Sequence, residues 1–229
     1  MSNSVPYNPP FGVLYEDNHL LVVVKPPGIL AQGDSTGRPN LLDQAKEYIR
    51  IRYNKPGQAF LGLVHRLDRQ VGGVMVFART SKAAGRLSTQ FREKTTKKIY
   101  QALVHGHITP ASGELADHLI RRVRKTVLAG PSEDGAQEAV LLYQTHSVGP
   151  ASSLLEIQLL TGRRHQIRAQ LSGAGHPIVG DTLYGSSLPP RADSIGLWAH
   201  TIVLTHPTRD ESLTFTAPPP DDWPWLPPF

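Results

Sequence analysis

The chain has 229 residues, 39% of them hydrophobic, with 20 Gly, 20 Pro, no Cys and a formal net charge of +5. That size allows one large domain or two small ones, the turn-forming residues favour strands over a helical bundle, and the lack of Cys excludes disulfides, thiolate nucleophiles and Cys-based metal sites. No stretch has the length of a membrane span and the first ten residues carry no apolar signal-peptide core, so a protein of the cytoplasm is expected.

Residues 1–11 read as a loosely held tail. Val13 to His19 and Leu20 to Lys25 then read as a strand, a polar turn and a second strand, which Pro26-Pro27-Gly28 ends, because two prolines cannot continue a central ladder. Asn40 is a candidate N-cap for a helix reaching Tyr53, with Leu41, Leu42, Ala45, Tyr48 and Ile49 on one face and Pro56-Gly57 beyond its end. Val74 to Ala78 is short, apolar and partly β-branched, the pattern of a buried strand. Ser81 is a candidate cap for a second helix, with Ala84, Leu87 and Phe91 at helical spacing. Lys97 to Val104 alternates as a strand that places Tyr100 on one face with Ala102 and Val104. Leu115 to Tyr143 is expected as a hairpin, with a basic arm over Arg121 to Lys125 and a tip over Gly130 to Gln137. Ser153 to Leu160 alternates again, with one wet face. Thr161-Gly162 makes a turn, and Arg163 or Arg164 starts a helix that runs to about Leu171, with Ile167 and Leu171 as its apolar ridge. Trp198 to Leu204 and Leu213 to Thr216 close the series. The last residues, rich in Pro and holding Trp223, Trp225 and Phe229, form a strap, either against the body or mobile.

Two stretches carry candidate chemistry. The first runs from Leu63 to Thr80, where Asp68 lies between Arg66 and Arg69 in a loop that leads into the buried strand. A carboxylate so placed stays charged and aimed, which suits either a catalytic acid or a structural Asp in a turn. The second is Thr161 to Gly185. There Arg164 and Arg168, four apart on the expected helix, share a face and call for an anion between them, a carboxylate or a phosphate. The charge is uneven too. From Arg50 to Lys98 there are twelve basic residues against two acids, a local net of +10, while the remainder carries −5. Such a segment is either a face that meets polyphosphate or an ordinary solvated surface. His105 and His107 are the one close His pair, and with no Cys and no acid cluster nearby no metal site is expected.

His65-Arg66-Leu67-Asp68, followed by Val71-Gly72-Gly73 and a strand ending Ala78-Arg79-Thr80, resembles the catalytic motif of the RluA-type pseudouridine synthases. Four further blocks agree in order: Val13 to Gly28, Lys98-Ile99-Tyr100 with Ala102 and Gly106, Thr161 to Gly185, and Trp198 to Pro207. The resemblance implies an α+β fold with a mixed, mostly antiparallel sheet split by a central active-site cleft and flanked by helices and loops. It implies a tail over residues 1–11, a catalytic domain over 12–217 and a strap over 218–229. It also implies isomerisation of uridine to pseudouridine in ribosomal or transfer RNA without metal or organic cofactor, with RNA and not DNA as the partner. Nothing in the sequence suggests an interface, so a monomer is expected, and no membrane partner is expected either. Asp68 would then attack C1′ or the base, or remove the C2′ proton, with Arg168 as its ion-pair partner. Tyr100 would stack on the uracil, either alone or also helping later to remove the C5 proton, and Arg66 would fill the gap left by the flipped uridine. His65, Leu67, Arg163 and Arg164 fall in the RNA-binding motifs, and Ile167 either walls the base pocket or is plain core. A non-catalytic RNA-binding protein or RNA chaperone on the same fold is the alternative. One departure stands out: the family pattern has a small hydroxyl residue where this chain has Gly72.

Overall fold

The structure, a computed structural model, describes residues 9–225. Its strands are β1 (Gly12–Glu16), β2 (Leu20–Lys25), β3 (Gly62–Leu63), β4 (Gly72–Ala78), β5 (Lys97–His105), β6 (Ser112–Arg121), β7 (Thr126–Ala129), β8 (Gln137–Val148), β9 (Ser152–Leu159), β10 (Leu197–Thr205) and β11 (Ser212–Thr216). Helices α1 (Leu41–Arg52), α2 (Ser81–Arg92) and α3 (Gln166–Gly173) flank them. The strands form one sheet in the order β1-β2-β4-β10-β5-β9-β8-β6-β7, with β3 beside β4 and β11 beside β10. Every pairing between these strands is antiparallel except β4 with β10, which touch in parallel over only Gly72–Trp198 and Gly73–Ala199. This short seam divides the sheet into two halves, as expected for the split α+β sheet.

The apolar runs of β2 and β4 are continuous because both faces of that half are covered. Leu21, Val23, Met75 and Phe77 pack against Leu41, Ala45, Tyr48 and Ile49 of α1. Leu20, Val22, Val74 and Val76 pack against Ala83 and Leu87 of α2 on the opposite face. Asn40 caps α1 as expected, its side chain accepting from the Asp43 N–H at 3.0 Å. The cap of α2 is Thr80 and not Ser81: its hydroxyl accepts from the Ala83 N–H at 3.1 Å, and Ser81 is already helical. In the other half, Leu155, Ile157 and Leu159 of β9 meet Ile167 and Leu171 of α3, while Glu156 lies in solvent.

Four expectations change. The expected tail is shorter, because Phe11 is buried edge-on to Tyr48 with ring centroids 5.9 Å apart; residues 1–8 lie outside the described residues. The expected hairpin has three strands, since β6 pairs with both β7 and β8. The basic run is therefore no arm but the turn between β6 and β7, closed by the Arg122 N–H donating to the Lys125 carbonyl at 2.8 Å. Finally, α3 starts at Gln166, because His165 adopts a left-handed conformation (φ 53°, ψ 25°) that no right-handed helix contains. Arg163 and Arg164 thus lie in the preceding loop, and Arg164 does not share a helical face with Arg168. At the C-terminal end, Trp223 and Trp225 are buried with Leu103, Val179 and Trp198, whereas Phe229 lies outside the described residues.

The seam also accounts for Gly72. A Cβ there would lie 2.2 Å from Cζ3 of Trp198, whose indole fills the space of the missing side chain. Gly73 has φ +120° and a Cβ would meet the Ala199 carbonyl oxygen at 2.1 Å, so the strands can touch only through glycine. Gly72→Ser, which restores the hydroxyl of the family pattern, is expected to destabilise the fold by about 1–3 kcal/mol through overpacking. Pairing it with Trp198→Leu should cost less than the two single changes added together. Thermal unfolding of the four proteins measures the coupling, and additive losses would show that Gly72 and Trp198 are independent.

Candidate active site

Asp68 sits at the end of the loop that enters β4, beside the seam. Its carbonyl accepts the Val71 N–H at 3.1 Å, which sets the turn into the strand. One carboxylate oxygen, Oδ2, accepts from Arg168 Nη1 at 3.0 Å. The other, Oδ1, faces His165 Nε2 at 3.6 Å. Arg168 is buried and uses its remaining donors on a second carboxylate: Nε and Nη2 donate to Asp181 at 2.6 and 2.8 Å, a forked pair. Burial works to lower the Arg168 pKa, but the hydrogen bond to Asp181 and the charges of Asp181 and Asp68 outweigh it and raise it further. The guanidinium also lies over the Tyr184 ring, 4.9 Å from its centroid.

The anion that the two arginines were expected to share is therefore a pair of carboxylates held by Arg168 alone. Arg164 is exposed. The arginines that flank Asp68 in sequence do not hold its side chain either. Arg69 turns away to Asp193 at 3.1 Å, and Arg66 projects into solvent at the mouth of the site.

Tyr100, from the central part of β5, lines the same cleft as Asp68, together with Leu67, Val71, Leu159, Ile167 and Leu197. Burial first, and then the Asp68 charge, push its phenol well above the usual tyrosine range. Leu67 and Ile167 are at once buried core and cleft wall, so the two readings of Ile167 are compatible. Arg163 lines the rim with its Nε donating to the Glu138 carbonyl at 2.9 Å. His65 does something other than face a ligand. Its Nε2 accepts the Val76 N–H at 2.9 Å and its ring stacks on Phe91 at 4.9 Å. Burial, with Lys98 nearby, pulls it down to about 3, as an imidazole that must keep a lone pair for a backbone donor requires.

Two functional residues carried no local signal in the sequence. Asp181 lies in a turn-rich loop, and nothing around it announces a partner 13 residues earlier. Lys25, which read only as the end of β2, is fully buried and donates to the carbonyls of Pro26, Ile29 and Arg69 at 2.9, 2.8 and 3.1 Å. An ammonium has three protons, and here each has an acceptor. One of them fixes the backbone directly after Asp68. Burial lowers the Lys25 pKa to about 7, with the Asp68 charge opposing and Arg69 assisting.

The cleft opens onto a groove of about 850 Å³ whose lining includes Arg66, Arg92, Lys94, Lys98, Arg163 and Arg164. This is narrower than the charge count suggested. Arg50 pairs with Glu47, Arg52 and Arg79 with Glu16, and Arg69 with Asp193, so these acids from outside the basic segment neutralise part of it.

Residues 19–173 match the RNA pseudouridylate synthase family. The chain is 34% identical to the ribosomal large subunit pseudouridine synthase D of Neisseria meningitidis serogroup A, over 92% of this chain and 58% of that one. It is 32% identical to the dual-specificity RNA pseudouridine synthase RluA of Pasteurella multocida, over 96% of this chain and 98% of that one. Among solved structures it resembles the human RNA pseudouridylate synthase domain containing 4, with a TM-score of 0.78 and 26% identity over 92% of this chain and 89% of that one. The chain belongs to the RNA pseudouridylate synthase family of isomerases and, within it, to the RluA type. It spans 58% of the length of the Neisseria relative and nearly all of the Pasteurella one.

Proposed function

We propose that this protein converts uridines of structured ribosomal or transfer RNA to pseudouridine, with Asp68 as the reacting carboxylate and Arg168 as its ion-pair partner. The observation that carries the reading is the fork of Arg168, which is anchored on Asp181 and reaches across the seam to Asp68. A protein that only bound RNA would need no buried arginine aimed at a lone acid. The reaction breaks the bond from C1′ to N1 of the uracil and forms one from C1′ to C5; C5 gives up its proton and the freed N1 takes one, so the formula is unchanged. A single carboxylate suffices, either as nucleophile or as base at C2′. Hydrolysis at C1′ commonly uses a second carboxylate across the bond. Asp181 does not fill that place, being fully enclosed behind Arg168.

Tyr100 stacks on the uracil. Its raised phenol is ill suited to remove the C5 proton, so we assign it the stacking role alone. The groove lined by Arg66, Arg92, Lys94, Lys98, Arg163 and Arg164 takes the phosphates, with salt-dependent affinity. The exposed turn from Arg122 to Lys125 adds to that surface. The reading places the enzyme in the cytoplasm as a monomer; no helix among the described residues is long and apolar enough to cross a membrane.

Pseudouridine maps of total RNA with and without the protein test this assignment. Defined uridines should lose the modification on deletion and regain it on complementation. Identical maps would end it. Arg66, exposed at the mouth, fills the stack that the flipped uridine leaves. Arg66→Ala should therefore slow single-turnover modification of a folded stem-loop about tenfold more than that of an unstructured oligonucleotide, the difference reflecting the unstacking energy that it offsets. Equal losses on the two substrates would remove that role from Arg66.

A further inference from the structure

Asp68 Oδ2 is held by Arg168, but Oδ1 faces His165, a residue whose backbone is in an unusual state. His165 is left-handed (φ 53°) at the N-cap position of α3 and makes no side-chain capping bond to that helix. A non-glycine residue in this conformation is strained, and such strain collects where a side chain is needed for something else. The ring is tied down instead. His165 Nδ1 lies 2.9 Å from the Tyr184 hydroxyl, and that hydroxyl accepts the Thr126 backbone N–H at 2.8 Å.

The Thr126 N–H can only donate, so the Tyr184 oxygen accepts it, and among the described residues the hydroxyl has one other hydrogen-bond partner, His165 Nδ1, to receive its proton. With that proton given to Nδ1, the imidazole carries its own on Nε2, the nitrogen that faces the Asp68 carboxylate, where a bare lone pair would be repelled. The same Tyr184 supports Arg168 with its ring face. One side chain thus steadies both groups that meet the Asp68 carboxylate.

We propose that His165, locked as the Nε2–H tautomer by Tyr184, is a positioning residue for Asp68, donating to Oδ1 while Arg168 donates to Oδ2. The 3.6 Å separation is of the loose kind that tightens when substrate closes the site. The groups facing the imidazole are Asp68, Arg168, Arg164, Asp181 and Tyr184. Burial and the two arginines lower its pKa while Asp68 and Asp181 oppose them, which keeps the ring neutral. A neutral donor can steady the carboxylate without the added repulsion that an imidazolium would bring to Arg168.

The inference rests on Asp68 being the reacting group, and its first test needs no activity. Nitrogen-15 spectra of the histidine-labelled protein at pH 7 should show His165 as Nε2–H, and Tyr184→Phe should shift it toward a mixture of tautomers. In single-turnover assays on a modified stem-loop, His165→Leu should lower the rate constant about tenfold with half-saturating enzyme within about threefold of wild type, and His165→Gln, which retains an N–H donor, should recover part of the loss. An Nδ1–H tautomer or an imidazolium in the wild-type protein would overturn the proposal. So would a folded His165→Leu protein with an unchanged rate, or a His165→Gln protein no better than His165→Leu. Should His165→Leu fail to fold, the wild-type tautomer decides the question. A wild-type protein that made no pseudouridine on any RNA would instead refute the reaction assigned to Asp68, an outcome distinct from a wrong tautomer.

Discussion

Asp68→Asn should bind RNA as the wild type does and form pseudouridine more slowly by about 10³-fold or more. The substitution preserves shape: the amide oxygen can still accept from Arg168 Nη1, so the loop and the seam stay in place. It removes the charge and the basic lone pairs that either attack at C1′ or proton removal at C2′ requires. Binding should survive because the cationic rim of Arg66, Arg92, Lys94, Arg163 and Arg164 is untouched. The check is twofold: a gel-shift titration on a stem-loop substrate, and pseudouridine maps from cells in which Asp68→Asn is the sole copy. Maps that matched wild type would remove Asp68 from the reaction. A protein that no longer bound RNA would assign it a binding role.

Arg168 should show the second large effect, on stability as well as on rate. Arg168→Met leaves the Asp181 carboxylate, whose side chain has no solvent exposure, without a cation. Breaking a buried pair from one side costs about 3–5 kcal/mol, while replacing both members with apolar groups is often neutral. Arg168→Met should therefore be severely destabilised in urea, and the double variant Arg168→Met with Asp181→Leu should recover more than half of that loss. Activity should not return with stability, because Asp68 still lacks its partner. A double variant that was both stable and active would show that Arg168 serves only to neutralise Asp181.

What the sequence disclosed was what local pattern can encode. Asn40 and the spacing of Leu41, Ala45, Tyr48 and Ile49 specify α1, and the continuous apolar runs of β2 and β4 announce strands covered on both faces. Asp68 and Arg168 stood out because each lies in a dense motif. Their contact spans 100 residues, and local spacing cannot show which partners such groups find. The pairing was reached only through family resemblance. Asp181 and Lys25 were missed for another reason: a side chain's burial and its partners, a guanidinium 13 residues away and three backbone carbonyls, are set by the folded backbone and leave no residue-type pattern. The first limit also inflated the basic segment, because the acids that neutralise Arg52, Arg69 and Arg79 lie elsewhere in the chain. Two errors were conformational. A run of arginines gave no sign that it would be a tight turn, and the left-handed backbone of His165 delayed α3 by two or three residues relative to its sequence pattern.

The parallel seam has a consequence for how the molecule comes into being. Asp68 belongs to the half of the sheet made by β1, β2 and β4, whereas Tyr100 and Arg168 belong to the half built around β5 and β9. In strand pairing the halves join through two residue pairs, which bring Gly72 and Gly73 to Trp198 and Ala199. Contacts so distant along the chain cannot form before both strands have been made, and closing them costs loop entropy. On the ribosome the acid emerges long before its arginine, and neither half contains a working site by itself. On the function proposed above, the reacting pair therefore exists only once the two halves have met, and a nascent or partly unfolded chain has no assembled Asp68–Arg168 pair with which to act on the RNA around it.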